Sequence, residues 1–534
     1  MTAQLTLEHL LWRMRHVNPT SKIIDVTGSG RDYIATETTF AEASERIRAL
    51  AAGLRDRVGL KDGDIVTIFG WNDRAHFEAL LAVPVAGGIA NSVNLRLGIE
   101  NISLLSSTPS PSAIVVSSAV LSHPSVGDDV RRVVDNARKR GVKIVAVDDP
   151  DDHYSDGDLS FKELISSGDG TVIENHVACE LETAFFFHTS GTTGAPKTFR
   201  VSHRAAMLHS LSQATTEATG LSSKDRVLPL APFFHVNGWG LPLTCLMTGA
   251  SLVLSGHDLE PGRLIEVMTN EKVSVAAAVP TVWYSVCETM VDRKATPPAE
   301  LREVLTGGDS LPESIWKKLK NVLGVQVATA WGMTETMACS TYERERPHER
   351  AGKPVPLVEL RLDQLHDGSD EETLGRLHVR GPFVVGTTSD NNEWFATGDI
   401  ASLDESGAIT LRDREKDLIK SGGEWIATAE MELHLCKHPD VASAAIVPVS
   451  DPRWVQRPRA FVVSTVSKTS ANDLVDELRA HLLSKFPRWW VPETITIVGD
   501  LPKTTVGKIN KRALRAVAEA PTSSNHMEGK SIES

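Results

Sequence analysis

Cysteine is scarce, with five residues in 534: Cys179, Cys245, Cys287, Cys339 and Cys436. The count is odd and no two form a C-x-x-C pair, which argues against a disulfide framework and against a zinc site. Unpaired thiols suit a reducing cytosol. Positive charge is also short: Lys plus Arg number 56 against 69 Asp plus Glu, a formal net charge of −13. That balance argues against a general nucleic-acid binder or a polybasic membrane-surface protein, since both must neutralise phosphate. It still allows a local basic patch for a small phosphorylated ligand. No stretch approaches the roughly 18 apolar residues of a transmembrane helix. Met1–Asn18 carries Glu8, Arg13, Arg15 and His16 where a signal peptide has its apolar core. No fixed-period repeat is evident. The expectation is a soluble cytoplasmic protein with no nucleic-acid partner and no membrane span.

What is present reads as several α/β units, because 534 residues exceed the roughly 250–300 at which one core stops growing. Thr39 to Glu42 has capping-box spacing, followed by Ile47, Leu50 and Leu54 at helical intervals. Asp64–Phe69 reads as a strand, and Phe77, Leu80 and Leu81 as one face of a helix. Further buried-strand candidates are Ala113–Val116, Lys143–Val147, Ala184–Phe187, Ser251–Leu254, Val273–Val279 and Gln326–Ala328. Continuous apolar runs between helical segments mark sheets covered on both faces. Strand order and the number of sheets stay open. The pattern changes near Asp413–Lys416. Beyond it come a helix from Glu430, strands at Ala442–Val449 and Ala460–Val466, and a helix capped by Ser470 with Leu474, Leu478 and Leu482 on one face. The fold class is therefore α/β: a large N-terminal lobe of several subdomains, a short linker and a small α+β C-terminal lobe. A polar tail over 521–534 is expected to be disordered.

The most informative stretch is Phe187–Lys197, which follows a strand candidate and precedes a helix with Ser202 at its N-cap. Hydroxyls at Thr189, Ser190, Thr192 and Thr193 alternate with Gly191 and Gly194, and Lys197 closes the run. Glycines let backbone N–H groups approach an oxyanion, hydroxyls donate hydrogen bonds, and the lysine adds a point charge. Such a loop suits a polyphosphate. It is not a Walker A motif, because Pro196 stands where that motif has Gly. The plainer alternative is a flexible polar surface loop.

Ser190–Lys197 resembles the phosphate-loop signature of the adenylate-forming superfamily of acyl-CoA synthetases, luciferases and peptide-synthetase adenylation domains. Other motifs of that superfamily follow in order: Pro232-Phe-Phe-His235, Gly307-Gly308, Trp331-Gly-Met-Thr-Glu335 and Trp394-Phe-Ala-Thr-Gly-Asp399. After them come Asp413-Arg-Glu-Lys-Asp417 with Lys420-Ser-Gly-Gly423, and Pro502-Lys-Thr-Thr-Val-Gly-Lys508. The segments around His235–Pro242 and Trp331–Glu335 are most similar to the medium- and long-chain fatty acyl-CoA ligase branch.

The resemblance implies two half-reactions: an acid and ATP give an acyl-adenylate, and the thiol of coenzyme A then displaces AMP. It implies that Thr189–Lys197 holds the β- and γ-phosphates, that Thr334 contacts the α-phosphate, and that Glu335 holds Mg²⁺. Trp331, Gly307 and Gly308 would line the adenine pocket, and Asp399 with Arg414 would take the ribose. Lys508 would reach the carboxylate and α-phosphate in the first step. Lys420, Gly422 and Gly423 would serve the second after the small lobe turns about Lys416, which puts the boundary between lobes 1–415 and 416–520 and makes the small one mobile. His235 would border the acyl pocket and Trp239 would close it; a core His beside a core Trp is the plain alternative. Lone readings of Trp331 as core, of Asp399 as a polar turn and of Lys508 as a solvated lysine are the defaults that motif context reverses. Two departures stand out: Thr198 occupies a usual Gly position, followed by Phe199 and Arg200, and Val455-Gln456 replaces Gly-Glu after Trp454. Neither removes a group assigned to chemistry. The expected function is an ATP-dependent acyl-CoA ligase for a hydrophobic acid. A half-enzyme doing only one step and a non-catalytic nucleotide or acyl binder are the alternatives. A homodimer is the simplest assembly open to it.

Overall fold

The computed structural model describes residues 4–147, 158–170, 176–189, 196–364, 374–385, 394–421, 424–426, 428–465, 471–502 and 509–519. Two large sheets dominate the N-terminal lobe. The first contains, in spatial order, Leu159–Ser160, Lys143–Val147, Ala113–Ser117, Ile65–Phe69, Ile89–Ser92, Thr183–Thr189 and Lys197–Ser202. The second runs Lys353–Pro354, Thr341–Glu343, Gln326–Trp331, Glu303–Gly307, Val275–Ala278, Arg226–Pro229, Ser251–Leu254, Lys22–Thr27 and Ile34–Thr39. The central strands of both are parallel, fully buried and separated by helices, as their continuous apolar runs predict.

The predicted capping box is present: Thr39 N–H donates to Glu42 Oε2 (2.8 Å), Glu42 N–H donates to Thr39 Oγ1 (3.2 Å), and the helix Phe40–Gly53 begins there. Its Ile47 and Leu50, with Leu54 just past its end, enter a core shared by both sheets with Phe77, Phe185 and Phe187. Asn72, just past the strand Ile65–Phe69, ties the sheets together. Its amide donates to Pro229 O (3.1 Å) and Ala231 O (2.9 Å) and accepts from Phe233 N–H (2.9 Å). That bridge fixes the start of the Pro232–His235 motif.

A third, antiparallel sheet of Glu359–Gln364, Leu374–Arg380, Phe395–Leu403 and Ile409–Arg414 closes the large lobe. The small lobe is a mixed sheet of Glu424–Ile426, Ile419–Ser421, Val455–Ser464 and Val441–Asp451, with Thr494–Val498 added parallel to Val455–Ser464. Against it pack the helices Thr428–Leu435, Ala471–Leu483 and Lys511–Glu519. Leu474, Leu478 and Leu482 are buried together, as their spacing predicts; Ser470 and the tail 521–534 lie outside the described residues.

The helix Thr428–Leu435 meets the large lobe at both ends. Asp413 Oδ2, on the last strand of the third sheet, accepts from Thr428 N–H (2.6 Å), Thr428 Oγ1 (2.8 Å) and Ala429 N–H (3.3 Å), and so caps its N-terminus. Arg412 pairs with Glu430 (2.6 Å), and beyond the far end Lys437 Nζ sits 3.0 Å from Glu313 on the helix Glu313–Leu323. Lys317 and Lys437 together hold the Glu313 carboxyl down at about 2. Among the described residues, no helix is long and apolar enough to cross a membrane.

Candidate active site

The phosphate-loop candidate is the tip of a β-hairpin. Sequence reading expects a strand, the loop and then a helix capped by Ser202. The cap is found, with Ser202 Oγ accepting from Ala205 N–H (3.1 Å), but Lys197–Ser202 first runs back antiparallel along Thr183–Thr189. Thr189 and Lys197 face each other as the last pair before the loop, and His188 and Thr198 form the pair beneath them. Ser190, Gly191, Thr192, Thr193 and Gly194 lie outside the described residues. The loop is thus held at its two ends by one strand pair, with no helix N-terminus at its base.

Asp399 is the best-defined of the predicted site side chains. It is buried on the strand Phe395–Leu403, directly across from Arg414. Arg414 Nε lies 2.8 Å from Asp399 Oδ1, and the Trp331 indole Nε1–H donates to Oδ2 at 3.1 Å. Thr397 Oγ1 accepts the Asp399 N–H (3.1 Å) and donates to Leu377 O (2.8 Å), which fixes the backbone. A carboxylate has about four lone-pair sites, so each oxygen can serve more than one partner. Sequence reading places Trp331 near adenine; the structure adds that it orients the carboxylate.

Thr334 and Glu335 follow Trp331 on a short 3-10 turn, half-buried, with Val385 N–H donating to Glu335 O (2.7 Å). Burial pushes the Glu335 carboxyl above its ordinary value, and Arg414 and Lys197 pull against that rise. Four predicted residues, Lys197, Glu335, Asp399 and Arg414, therefore share one electrostatic neighbourhood although they come from four separate sequence motifs. Gly332 is required by packing: a Cβ there would fall 1.1 Å from Ala338 O, where the chain turns back through left-handed Met337 (φ 58°) and Ala338 (φ 79°).

Gly307 and Gly308, assigned to the adenine pocket, also contact the proposed acyl gate. A Cβ on either would lie 3.6–3.7 Å from the Trp239 indole. Trp239 itself has φ 62°, between left-handed Gly238 and Gly240, and Val236 has φ 43°. That strained turn is pinned by Gln213, whose Nε2 donates to Trp239 O (3.0 Å) and whose Oε1 accepts from Thr244 Oγ1 (2.7 Å). His235 packs edge-on against Phe234 at 4.9 Å and is half-buried beside this turn.

On the small lobe, Lys420 is exposed, its N–H donating to Gln456 Oε1 (3.0 Å). Gly422, Gly423 and Lys508 lie outside the described residues. Val455 pairs with Ser421 and closes the hairpin turn that follows Asp451, whose Oδ1 accepts from Arg453 and Trp454 N–H (2.8 Å each). Its φ is 71°, a conformation that favours Gly, so the Val-for-Gly departure places a β-branched residue in a strained position. Lys416 is exposed; Arg515 on the last helix donates to its carbonyl (3.0 Å) and pairs with Asp417.

Several contributors carry no motif signal. Gln213 and Asn91 act through partners far away in sequence, and His188, within the singled-out stretch Phe187–Lys197, reaches Asn91 97 residues away. A separate cavity of about 450 Å³, lined by Trp71, Arg96, His123, Asp129 and His257 among others, gathers residues from four separate segments and includes none of the predicted site residues.

The profile of the AMP-binding enzyme family matches residues 25–387, and that of the AMP-binding enzyme C-terminal domain matches 430–508. The chain is 34% identical over 507 residues to a long-chain-fatty-acid–CoA ligase of Thermus thermophilus, covering 90% of each. It is 31% identical to a medium-chain-fatty-acid–CoA ligase of Ectopseudomonas oleovorans, covering 96% of each. Its fold superposes on an anthranilate CoA ligase, AuaEII, in complex with anthranoyl-AMP, with a TM-score of 0.82, 23% identity, and coverage of 97% and 98% of the two chains.

Proposed function

The chain belongs to the AMP-binding enzyme family, and from that membership we propose that it is an ATP-dependent acyl-CoA ligase. It would convert a hydrophobic carboxylic acid to its CoA thioester through an acyl-adenylate. The observation that carries this reading is the convergence of Lys197, Glu335, Arg414 and a doubly held Asp399. A carboxylate positioned for a diol beside cations positioned for phosphate is the arrangement an adenosine triphosphate needs.

In the first step a carboxylate oxygen of the acid attacks the α-phosphorus and pyrophosphate leaves. Lys197 and the hydroxyls of the loop would hold the departing phosphates, Asp399 the ribose, Thr334 the α-phosphate, and Lys508 the charge developing between acid and phosphorus. In the second step the thiol of coenzyme A attacks the acyl carbonyl and AMP leaves, its thiol proton passing to solvent. The Lys420–Gly423 segment would line that approach after the small lobe turns about Lys416. We place the lobe boundary between residues 415 and 416. The grip of Arg515 on Lys416 O and Asp417 supports a pivot immediately N-terminal to them.

Glu335 fits a Mg²⁺ ligand: it is a hard oxygen donor in a half-buried site, and its raised affinity for a proton marks an environment that a cation would relieve. Among the described residues no cluster of three His, Cys, Asp or Glu could hold a metal alone, so the ion would be shared with the phosphates. When bound, it supplies charge neutralisation for the triphosphate. The acid is proposed to be of medium to large size, with Trp239 gating the pocket. The long- and medium-chain fatty-acid ligases among the relatives support that range. Five free thiols suit the reducing cytoplasm in which we place the enzyme.

Acid-dependent exchange of labelled pyrophosphate into ATP, measured with and without CoA, tests the proposal. Exchange with CoA consumption is expected. Exchange alone would identify an adenylating half-enzyme. If exchange is absent, synthetic acyl-adenylate separates a thioester-forming enzyme, which consumes it with CoA, from a binder, which does not.

A further inference from the structure

We propose that Thr198 and His188 are positioning residues for the phosphate loop, joined to the sheet interior through Asn91. The strand Lys197–Ser202 is the edge of its sheet, and its pairing partner is Thr183–Thr189. An edge strand is held from one side, so its end beside a loop is the place where pairing is weakest. Here that end carries a side-chain tether. Thr198 Oγ1 lies 3.0 Å from His188 Nδ1 across the strand pair, and His188 Nε2 lies 2.6 Å from Asn91 Oδ1 on the next strand inward, Ile89–Ser92.

The direction of each hydrogen follows from the far end. Asn91 Nδ2 faces Leu105 O (3.0 Å) and Thr67 Oγ1 (3.2 Å), and a carbonyl can only accept, so the amide nitrogen points there and Oδ1 points at His188. His188 must then carry its proton on Nε2, which leaves Nδ1 as a lone pair that the Thr198 hydroxyl fills. Burial keeps the imidazole neutral, with its pKa down at about 4, so the arrangement persists at neutral pH. The chain runs Thr198 to His188 to Asn91 to Leu105 O, crossing three strands in a defined polarity. The pair immediately above it is Thr189 and Lys197, the two ends of the loop. Their separation, and the direction in which Lys197 leaves the strand, are set by this tether. The departure at Thr198 is thus matched by a partner: a glycine would leave the part-buried His188 Nδ1 with no donor from this strand.

The inference rests on the reading that the loop holds the β- and γ-phosphates. It predicts a specific pattern of damage. Thr198→Val keeps the shape and β-branching and removes the hydroxyl, while Thr198→Ser keeps the hydroxyl. Calorimetric titration should show Thr198→Val binding ATP about tenfold more weakly, the upper scale of one lost hydrogen bond. AMP, which lacks both outer phosphates, should bind within about twofold of wild type, and Thr198→Ser should resemble wild type with both nucleotides. CoA transfer from synthetic acyl-adenylate should be unchanged in both variants. Independently of any ligand, amide hydrogen exchange at residues 197–199 should quicken in Thr198→Val and stay slow in Thr198→Ser. Equal loss of ATP and AMP binding, wild-type ATP affinity in Thr198→Val, or unchanged exchange at 197–199 would each overturn the tether. A wild-type protein that bound neither nucleotide while the exchange difference appeared would instead refute the ligase reading and leave the tether standing as a device of the hairpin.

Discussion

Replacing Trp331 by Phe should weaken binding of ATP and AMP alike, by about tenfold. The indole N–H donates to Asp399 at 3.1 Å, and both residues are buried, at 8% and 4% exposure. A hydrogen bond to a charged acceptor contributes about 1.5–3 kcal/mol. The other oxygen is held by Arg414, whose side chain is 40% exposed, and a partly solvated pair of that kind contributes about 0–1 kcal/mol. The buried indole therefore contributes substantially to fixing the carboxylate plane. Losing it lets the carboxylate rotate, and about 1.4 kcal/mol of the loss should appear in nucleotide affinity, which is tenfold. The ring of Phe still packs on Leu377, Ala401 and Ile409, so the accompanying stability loss should stay near ~1–2 kcal/mol. Calorimetric titration with each nucleotide, alongside urea unfolding, separates the two effects. Asp399→Asn, which preserves shape, should reproduce the nucleotide loss. If Trp331→Phe shifts the unfolding midpoint but binds both nucleotides within twofold of wild type, the indole is core packing and the reasoning fails.

Four further outcomes follow from the geometry. Val455→Gly should stabilise the small lobe by about 0.5–1 kcal/mol, the left-handed cost of about 1–2 kcal/mol less the added chain freedom of Gly; a urea midpoint that falls would contradict it. Gly332→Ala should fail to accumulate as soluble protein or unfold far earlier, because its Cβ has no place beside Ala338 O, and a thermal scan matching wild type would show the turn can relax. Lys437→Glu should change the ratio of adenylation to CoA-transfer rates about twofold to fivefold, as expected for a solvent-exposed pair, and Lys437→Glu with Glu313→Lys should move it back; identical ratios in all three proteins would exclude an orienting role. Burial raises the Glu335 carboxyl above 4.5, so its charged form costs stability above that raised value and none below 4.5. The nucleotide-free protein should therefore gain stability as pH falls through the raised value, and Mg²⁺ should move the acid limb of adenylation to lower pH in wild type but not in Glu335→Gln.

The parts of the fold that the sequence announces are those whose signal is local. The capping box at Thr39, the buried runs of the parallel strands, and the Leu474–Leu478–Leu482 face each depend on residues within a few positions of one another. The antiparallel sheet over 359–414 escapes because Glu359–Gln364 offers only an alternating Leu360 and Leu362 rather than a continuous buried run. The return strand after the loop escapes for a related reason: Thr198 and Arg200 are exposed, so Lys197–Ser202 lacks the buried run that marks its neighbours. In the site, motif order alone brings Lys197, Glu335, Asp399 and Arg414 to notice. The bond from Trp331 to Asp399, the Trp239 indole on Gly307 and Gly308, and the Asn91–His188–Thr198 chain span 68 to 107 residues or join separate strands, and no periodicity records such partners.

The helix Thr428–Leu435, held by the large lobe at both ends, gives the lobe orientation seen here a lifetime. A turn about Lys416 must release the Asp413 cap, the Arg412–Glu430 pair and the Lys437–Glu313 pair within one motion, because a rigid helix cannot leave one anchor while keeping the other. If the small lobe turns as proposed, passage between the two half-reactions would be an escape over a barrier rather than free diffusion of a tethered lobe. Dissolved salt screens the exposed Lys437–Glu313 pair far more than the buried cap at Asp413. Ionic strength would thus act on the waiting time between steps through the distal anchor.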